Sequence, residues 1–280
     1  MTNHNHVELP EGYVDFYKKI ETWQNEMFFR LKKAQNIDKQ NINLLLKERN
    51  KPFLEFNDMS IDPELYKGAF IEFTRMVGQE REATADKLSQ IVTAVEGMDF
   101  IALADHVVND DKKFFTDLAS QKSIAYDLLV FSLDHALRPF LRHYAMPYQD
   151  ALRDDEDFSW GFGVCPICGA QANYSRVSLE DGRRFLFCEH CFTEWEYKYL
   201  GCIFCGNSEP NTIRFFVVEG DEANQVFVCE KCKGYLKTFD ERKGMAKTDL
   251  FIAGIETVYL DLIAEEQGYR SNVDVDRQLN

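Results

Sequence analysis

The sequence predicts an α+β fold, in which an all-α N-terminal half precedes two tandem cysteine-containing modules and a C-terminal helix. Three observations favour this arrangement. Apolar residues at helical spacing dominate the first half, all eight cysteines fall between Cys165 and Cys232, and short β-type runs separate the cysteines. The predicted boundaries are 1–157 for the helical domain, 158–198 and 199–240 for the two modules, and 241–280 for the last helix and a polar tail.

The N-terminal half repeats apolar residues at intervals of three and four, as the buried face of a helix requires. The first series begins at Val14, and the second follows Pro63, with Asp62 as its expected N-cap. Four further series begin at Leu88, Phe100, Phe114 and Ile124. Pro139 is expected to end or kink the last of these helices near Leu137. The acidic residues 154–157 close the predicted domain.

The composition is that of an ordinary globular protein with a strong acidic excess. Lys and Arg number 32, Asp and Glu number 47, and the net charge is −15. A protein that binds nucleic acid through its phosphates usually has the opposite balance, so this function class is disfavoured. No apolar run reaches the ~18–20 residues that span a bilayer, and the polar N-terminus lacks the pattern of a secretory signal. We therefore expect a cytoplasmic protein without membrane insertion.

All eight cysteines occur in C-x-x-C pairs, which indicates metal binding. A cytosolic chain keeps its thiols reduced unless they hold a metal or carry out redox chemistry, and four-thiolate sites use this spacing. We predict two metal ions, iron or zinc, each held by four thiolates. The predicted ligands are Cys165, Cys168, Cys188, Cys191, Cys202, Cys205, Cys229 and Cys232.

A closed four-thiolate site has no open position for a substrate. The sequence also shows no recognisable activated nucleophile and no glycine-rich phosphate loop. We therefore expect neither an enzyme nor a small-molecule substrate.

Residues 165–191 and 202–232 read as two copies of one unit, with a C-x-x-C pair, two β-type runs around a turn, and a second pair. Gly169 and Gly206 follow the first pair of each copy, where glycine lets the chain turn back at the least steric cost. The repeat favours a sequential grouping, with the first two pairs on one metal and the last two on the other. A cross-braced grouping is the alternative. Helical spacing returns from Thr248 to Gln267, with Gly268 as the expected C-cap.

These motifs resemble the FdhE-type formate dehydrogenase accessory proteins, over residues 160–270. The N-terminal half matches more loosely, at the motifs 52–54, 61–63 and 139–140. The residues that carry the resemblance are Trp160, Cys165-Pro166-x-Cys168-Gly169, Phe187, Thr193-Glu194-Trp195, Tyr235-Leu236-Lys237, Leu260-Asp261 and Gly268-Tyr269, together with the other C-x-x-C pairs.

The resemblance implies a cytoplasmic, chaperone-like maturation factor with two rubredoxin-like metal modules, for which iron is often suggested. It also implies binding to the formate dehydrogenase catalytic subunit before export or assembly, without being part of the mature enzyme. A metal-held turn presents side chains with little ordering cost. We therefore predict partner contacts at the residues that directly follow the second pair of each module, which are Thr193, Glu194, Trp195, Tyr235, Leu236 and Lys237. Packing of Trp195 over the metal site is the alternative.

Two other function classes stay open. One is a rubredoxin-like electron carrier, although such a carrier leaves the helical half of the chain unexplained. The other is a metal-stabilised ribbon that binds nucleic acid. Residues 161–240 hold 8 basic and 11 acidic side chains, a net charge of −3, which disfavours phosphate binding.

Overall fold

The structure is a computed structural model that describes residues 9–34, 46–47, 49–55, 61–155 and 158–271. The chain divides into two compact units. The helical unit comprises residues 19–38 and 57–145, and the sheet unit comprises residues 1–18, 39–56 and 146–280. The end of the acidic stretch, residues 156–157, and the polar tail from residue 272 lie outside the described residues. Across the described ranges, no helix has both the length and the apolar character needed to cross a bilayer.

Helices form most of the described chain up to residue 154. The start predicted at Pro63 is confirmed, because Pro63 opens its helix and the Asp62 carboxylate accepts hydrogen bonds from the N–H groups of Glu64 and Leu65, at 2.9 and 3.1 Å. The helices are α1 Tyr13–Ala34, α2 Pro63–Glu80, α3 Ala85–Val95, α4 Phe100–Val108, α5 Lys112–Lys122 and α6 Tyr126–Asp154, with short 3-10 turns at Phe53–Glu55 and Glu82–Thr84.

Helix α6 continues through Pro139, so an end of the helix near Leu137 is excluded, and a kink there stays a prediction. Proline has no N–H, which leaves the carbonyl of His135, four residues earlier, without its helical partner. Gln24 supplies a replacement, because its Nε2 donates to the carbonyl oxygen of His135 at 3.0 Å. The same nitrogen lies 3.1 Å from Nδ1 of His135. A buried side chain from α1 thus satisfies the carbonyl that the proline leaves free.

The helical unit has an apolar core that contains no cysteine. The rings of Trp23 and Phe73 lie 5.0 Å apart, and the Trp23 indole N–H donates to Glu72 at 2.8 Å. Fully burying one such large apolar side chain stabilises a fold by about 1.5–3 kcal/mol. The core also includes Ile20, Phe70, Ile91, Leu103, Leu129 and Leu133.

The two cysteine-containing modules share one six-stranded sheet, with the strand order β3-β2-β1-β6-β5-β4. Neighbouring strands are antiparallel except β1 and β6, which are parallel and pair Tyr174 with Lys237 and Val177 with Asp240. The first strand of the first module therefore joins the last strand of the second. The strands are β1 Tyr174–Val177, β2 Arg184–Phe187, β3 Glu194–Tyr197, β4 Ile213–Val218, β5 Asp221–Cys229 and β6 Tyr235–Asp240.

The C-terminal segment forms α7 Glu241–Gly244, α8 Leu250–Glu256 and α9 Val258–Glu266. The single helical run expected from Thr248 to Gln267 is interrupted at Thr257, whose hydroxyl donates to the carbonyl of Ala253 at 2.6 Å. Such back-bonding often bends a helix. Gly268 follows α9 with a φ of +85°, the left-handed conformation that terminates helices. Residues of α8 and α9 pack onto the sheet, with Leu260 against Val226, for example.

Candidate metal centres

Each of the four C-x-x-C pairs folds into the same hydrogen-bonded turn. The residue after the second cysteine donates its N–H to the carbonyl of the first cysteine, at 2.7–3.0 Å. The N–H of the first cysteine in turn donates to the carbonyl five residues later, at 2.8–3.0 Å. The residues after the second cysteine are Gly169, Phe192, Gly206 and Lys233, and all have positive φ angles between 59° and 78°. Glycine adopts this conformation freely, as expected for Gly169 and Gly206, and two non-glycine residues share it.

These turns bring the cysteines together in two clusters of four. In each cluster the sulfur atoms all lie within 4.8 Å of one another. The first cluster, called the first site, contains Cys165, Cys168, Cys188 and Cys191. The second cluster, called the second site, contains Cys202, Cys205, Cys229 and Cys232. This is the sequential grouping that the internal repeat favours.

The sulfur spacing fits a tetrahedral metal ion. Sulfur atoms about 2.3 Å from one zinc ion, at the corners of a tetrahedron, stand about 3.8 Å apart. The shortest separations described for the first site are 3.4 and 3.5 Å, and those for the second site are 3.4 and 3.8 Å. Both clusters could therefore hold a four-thiolate metal ion, and this donor set suits zinc or iron.

The first site is buried and is covered by segments distant in sequence. All four of its cysteines are buried. The hydroxyl of Thr193 lies 3.0 Å from the sulfur of Cys191, and the side-chain amide of Gln149 donates to the Cys191 carbonyl at 2.8 Å. Gln149 lies on α6, and no local sequence signal predicted this contact.

Residues 52–54 also cover the first site. The N–H of Phe53 donates to the carbonyl of Pro166, and the N–H of Leu54 donates to the carbonyl of Ile167, both at 2.9 Å. These two carbonyls belong to the first C-x-x-C turn. Phe53 is fully buried, and its ring lies 4.6 Å from that of Tyr148. The loosely matching motif at 52–54 thus packs against the first site.

The second site is more open than the first. Cys205 and Cys232, the second cysteine of each pair, are partly exposed, whereas Cys202 and Cys229 are buried. The side-chain amide of Asn207 lies 3.6 Å from the sulfur of Cys229 and donates to Thr212 at 2.7 Å.

Burial and hydrogen bonding give the thiols of the second site different pKa values. Burial raises the pKa of Cys232 to about 11 and raises the pKa of Cys202 further. Burial also acts on Cys229, but backbone N–H groups of Cys232 and Lys231 outweigh it and lower the pKa of Cys229 to about 7. The lowered pKa favours a thiolate at Cys229 beside the protonated thiols of Cys202 and Cys232, and metal binding would release the protons of those two.

The structure places most of the predicted partner contacts inside the sheet unit. Thr193, Trp195, Tyr235, Leu236 and Lys237 are buried, because they lie in or beside strands β3 and β6. The Trp195 indole N–H donates to the carbonyl of Phe162 at 3.0 Å. This burial favours the alternative in which Trp195 packs within the module.

Two of the buried side chains in β6 make polar contacts to α9. The Lys237 ammonium donates to Asp261 at 2.6 Å, and the Tyr235 hydroxyl donates to the same carboxylate at 2.9 Å. Glu194, by contrast, is exposed and forms an ion pair with Arg176.

Three comparisons with known proteins agree. The family model described as "FdhE, central domain" matches residues 164–198. The chain is 34% identical over 172 residues to the protein FdhE homolog of Aquifex aeolicus, a match that covers 59% of this chain and 58% of that protein. It is 28% identical over 114 residues to the protein FdhE of Escherichia coli K12, covering 39% of this chain and 36% of that protein. The chain thus spans less than two thirds of these curated relatives.

The crystal structure of the FdhE protein from Pseudomonas aeruginosa has the same fold. The two structures superpose with a TM-score of 0.57 at 19% identity, covering 92% of this chain and 87% of that chain. Fold and sites define a class of protein in which a helical region precedes one sheet with two four-cysteine clusters. Within that class, this chain is similar in sequence to the FdhE proteins, most specifically over residues 164–198.

Proposed function

We propose that this chain is an accessory protein for formate dehydrogenase, which binds the catalytic subunit in the cytoplasm during maturation and is not itself an enzyme. One observation carries the proposal. The segment that matches the FdhE central domain, residues 164–198, contains the whole first site and the strands β1 to β3 beside it. The chain thus shares with the FdhE central domain the segment that builds the first four-cysteine cluster and the strands beside it.

The predicted chemistry of the two sites supports a binding role over a catalytic one. Each cluster already offers four thiolates, and a metal held by them has no open position for a substrate. The metal would instead fix turns that otherwise bury little apolar surface, so its binding free energy contributes to folding. A rigid sheet surface loses little conformational entropy when it binds a partner.

The charge of the chain supports a protein partner. A net charge of −15 discourages nucleic acid and favours encounter with a basic protein surface, because complementary charge accelerates association. Of the six predicted contact residues, Glu194 is exposed, so our proposal for a direct contact now rests on that side chain.

The decisive experiment measures formate dehydrogenase activity in cells that lack this protein. We expect activity to fall and to return when the native chain is supplied. Supplying Cys188→Ser, which removes one ligand of the first site, should not restore it. Purified chain should also bind the purified catalytic subunit in size-exclusion chromatography and be absent from the mature enzyme. Normal activity in the deleted cells would refute the proposal.

A second candidate, an electron carrier of the rubredoxin type, is favoured by the exposure of the second site. Electron transfer needs a metal centre near the surface, and the sulfur-bearing residues Cys205 and Cys232 are partly exposed. The iron-loaded protein would then cycle reversibly between oxidised and reduced forms in the presence of a redox partner. Zinc-loaded protein that restores formate dehydrogenase activity as well as iron-loaded protein would exclude this candidate.

A further inference from the structure

Arg184, the first residue of β2, carries a charged group in the interior of the sheet unit. Its side chain is 1% exposed and is among the largest fully buried side chains of the described residues. Its Nε donates to the hydroxyl of Ser175 at 3.2 Å. Its Nη1 donates to the carbonyls of Tyr199 and Gly201, both at 3.3 Å. All of these partners are neutral.

A buried guanidinium without a counter-charge is unfavourable, and buried arginines are normally paired with carboxylates. Within the described residues, no carboxylate pairs with Arg184. The preceding residue shows the contrast, because Arg183 is exposed and forms ion pairs with Asp181 and Glu196. Burial lowers the pKa of Arg184 to about 10, so its side chain is still cationic at neutral pH.

The second site lies beside this buried cation. Arg184, Cys202 and Cys229 line one cavity, together with Phe227. The guanidinium carbon stands 4.4 Å from the centre of the Phe227 ring, and this ring packs in one cluster with both cysteines. Gly201, whose carbonyl accepts from Arg184, directly precedes Cys202 in the chain. Arg184 belongs to the first module, whereas the site belongs to the second.

The charge that a metal would create at the second site complements Arg184. A divalent ion with four thiolates carries a formal charge of −2. Charges attract more strongly in a protein interior than in water, because the effective dielectric constant is lower. The described side-chain hydrogen bonds to the first site come from Thr193 and Gln149, which are uncharged. The second site is the more exposed of the two and has a buried cation beside it.

We propose that Arg184 is the counter-charge of the second four-cysteine site, supplied by the first module to strengthen metal retention in the second. This inference does not depend on the formate dehydrogenase proposal. The competing explanation is mechanical, in which Arg184 only clamps the turn at Tyr199 and Gly201 and contributes no charge to the site.

The test compares zinc retention in the full-length, zinc-loaded chain and its variants. Arg184→Met removes the charge and keeps most of the side-chain volume, and Arg184→Lys keeps the charge but loses the planar fork. Arg183→Met is the matched control, because it removes the neighbouring, exposed arginine. Zinc release to excess 4-(2-pyridylazo)resorcinol gives the affinity of each ion. Alkylation of the freed cysteines followed by mass spectrometry of the peptides assigns each loss to a site.

We expect Arg184→Met to weaken zinc binding at the second site by about tenfold or more and to leave the first site unchanged. Arg184→Lys should retain most of the native affinity, and Arg183→Met should match the native chain. The gain in melting temperature on zinc loading should be smaller in Arg184→Met than in the native chain, because the mutation removes an interaction present only in the loaded state.

Three results would overturn the proposal. The first is native zinc affinity in Arg184→Met, and the second is an equal loss from both sites. The third is equal loss in the Lys and Met variants, which would identify Arg184 as a clamp. If Arg184→Met does not fold, the Arg184→Lys variant alone is used. Zinc retained at the second site of that variant supports the counter-charge role, and zinc lost from it supports the mechanical role.

Discussion

Replacing Trp195 tests whether this side chain stabilises the sheet unit or contacts a partner. Trp195 is 4% exposed, lies opposite Leu186 between β3 and β2, and donates its indole N–H to the Phe162 carbonyl at 3.0 Å. Phe162 lies three residues before Cys165, so this hydrogen bond anchors the chain that leads into the first site. The interior position predicts a large effect on stability and on zinc retention.

The structure sets the expected magnitudes. Trp195→Ala leaves a large cavity, and truncating a buried tryptophan typically costs about 3–5 kcal/mol. Trp195→Phe keeps most of the ring but leaves the Phe162 carbonyl without its donor, which costs about 1–3 kcal/mol. For a unit of this size each kcal/mol lowers the melting temperature by about 2–4 °C, so the Ala variant should lose about 6–20 °C.

The assay measures melting temperature, zinc content and partner binding on the same samples. Glu194→Gln is the control for melting temperature and zinc content, because the neighbouring side chain is exposed and a surface substitution usually changes stability by less than about 0.5 kcal/mol. It is not a control for partner binding, since Glu194 is the proposed contact residue. If Trp195→Ala keeps both its melting temperature and its zinc but no longer binds the catalytic subunit, the packing argument is refuted and Trp195 is a contact residue.

Three further predictions follow from the sheet unit. Gly163→Ala should abolish full zinc loading, because the new Cβ would lie 2.0 Å from the carbonyl oxygen of Ile203. Gly68→Ala is the control and should be tolerated, because its Cβ would have nothing within 4 Å. Equal zinc content in the two variants would contradict this prediction. Asp261→Asn should lower stability in urea by about 2–3 kcal/mol, since the buried Lys237 ammonium loses its charged acceptor. Chelation should unfold the sheet unit and spare the helical unit, so far-UV circular dichroism should keep most of its helix signal; near-complete loss of that signal would disprove independent folding of the helical unit.

Burial lowers the pKa of Lys237, and this shift makes the free energy of unfolding depend on pH. Between the lowered pKa and 10.5, the unfolded chain binds more protons at this position than the folded chain does. Stability from this group therefore rises with pH in that window and is constant below it.

The four-cysteine clusters could be predicted from sequence because their geometry is local. A C-x-x-C turn places two sulfur atoms on one side of a tight loop, and a hairpin of suitable length brings two such turns together. Strands β3 and β6 were missed, although the pattern Glu194-Trp195-Glu196-Tyr197 alternates polar and apolar residues. This alternation predicts a half-buried strand, with Trp195 and Tyr197 facing inward, as the structure has them.

Other features depend on contacts between residues far apart in sequence. The continuation of α6 through Pro139 requires Gln24, which lies more than 100 residues earlier. The two adjacent arginines at 183 and 184 look equivalent in sequence, and only the pleat of β2 decides that Arg184 faces the interior. The parallel pairing of β1 with β6 likewise cannot be deduced from either module alone.

Because β1 pairs with β6, residues of the first module contact the second site. The turn that begins at Cys202 is held by three contacts from the first module. The Tyr197 hydroxyl donates to the Cys202 carbonyl at 2.9 Å, Arg184 donates to the Gly201 carbonyl, and Gly163 lies against Ile203. The second site is therefore contacted by residues of the first module, while the first site is covered by residues 52–54 and by Gln149 of α6. The duplicated sequence encodes two similar turns, but within the shared sheet their surroundings differ, because among the described residues only the turn at Cys202 packs against the other module in this way.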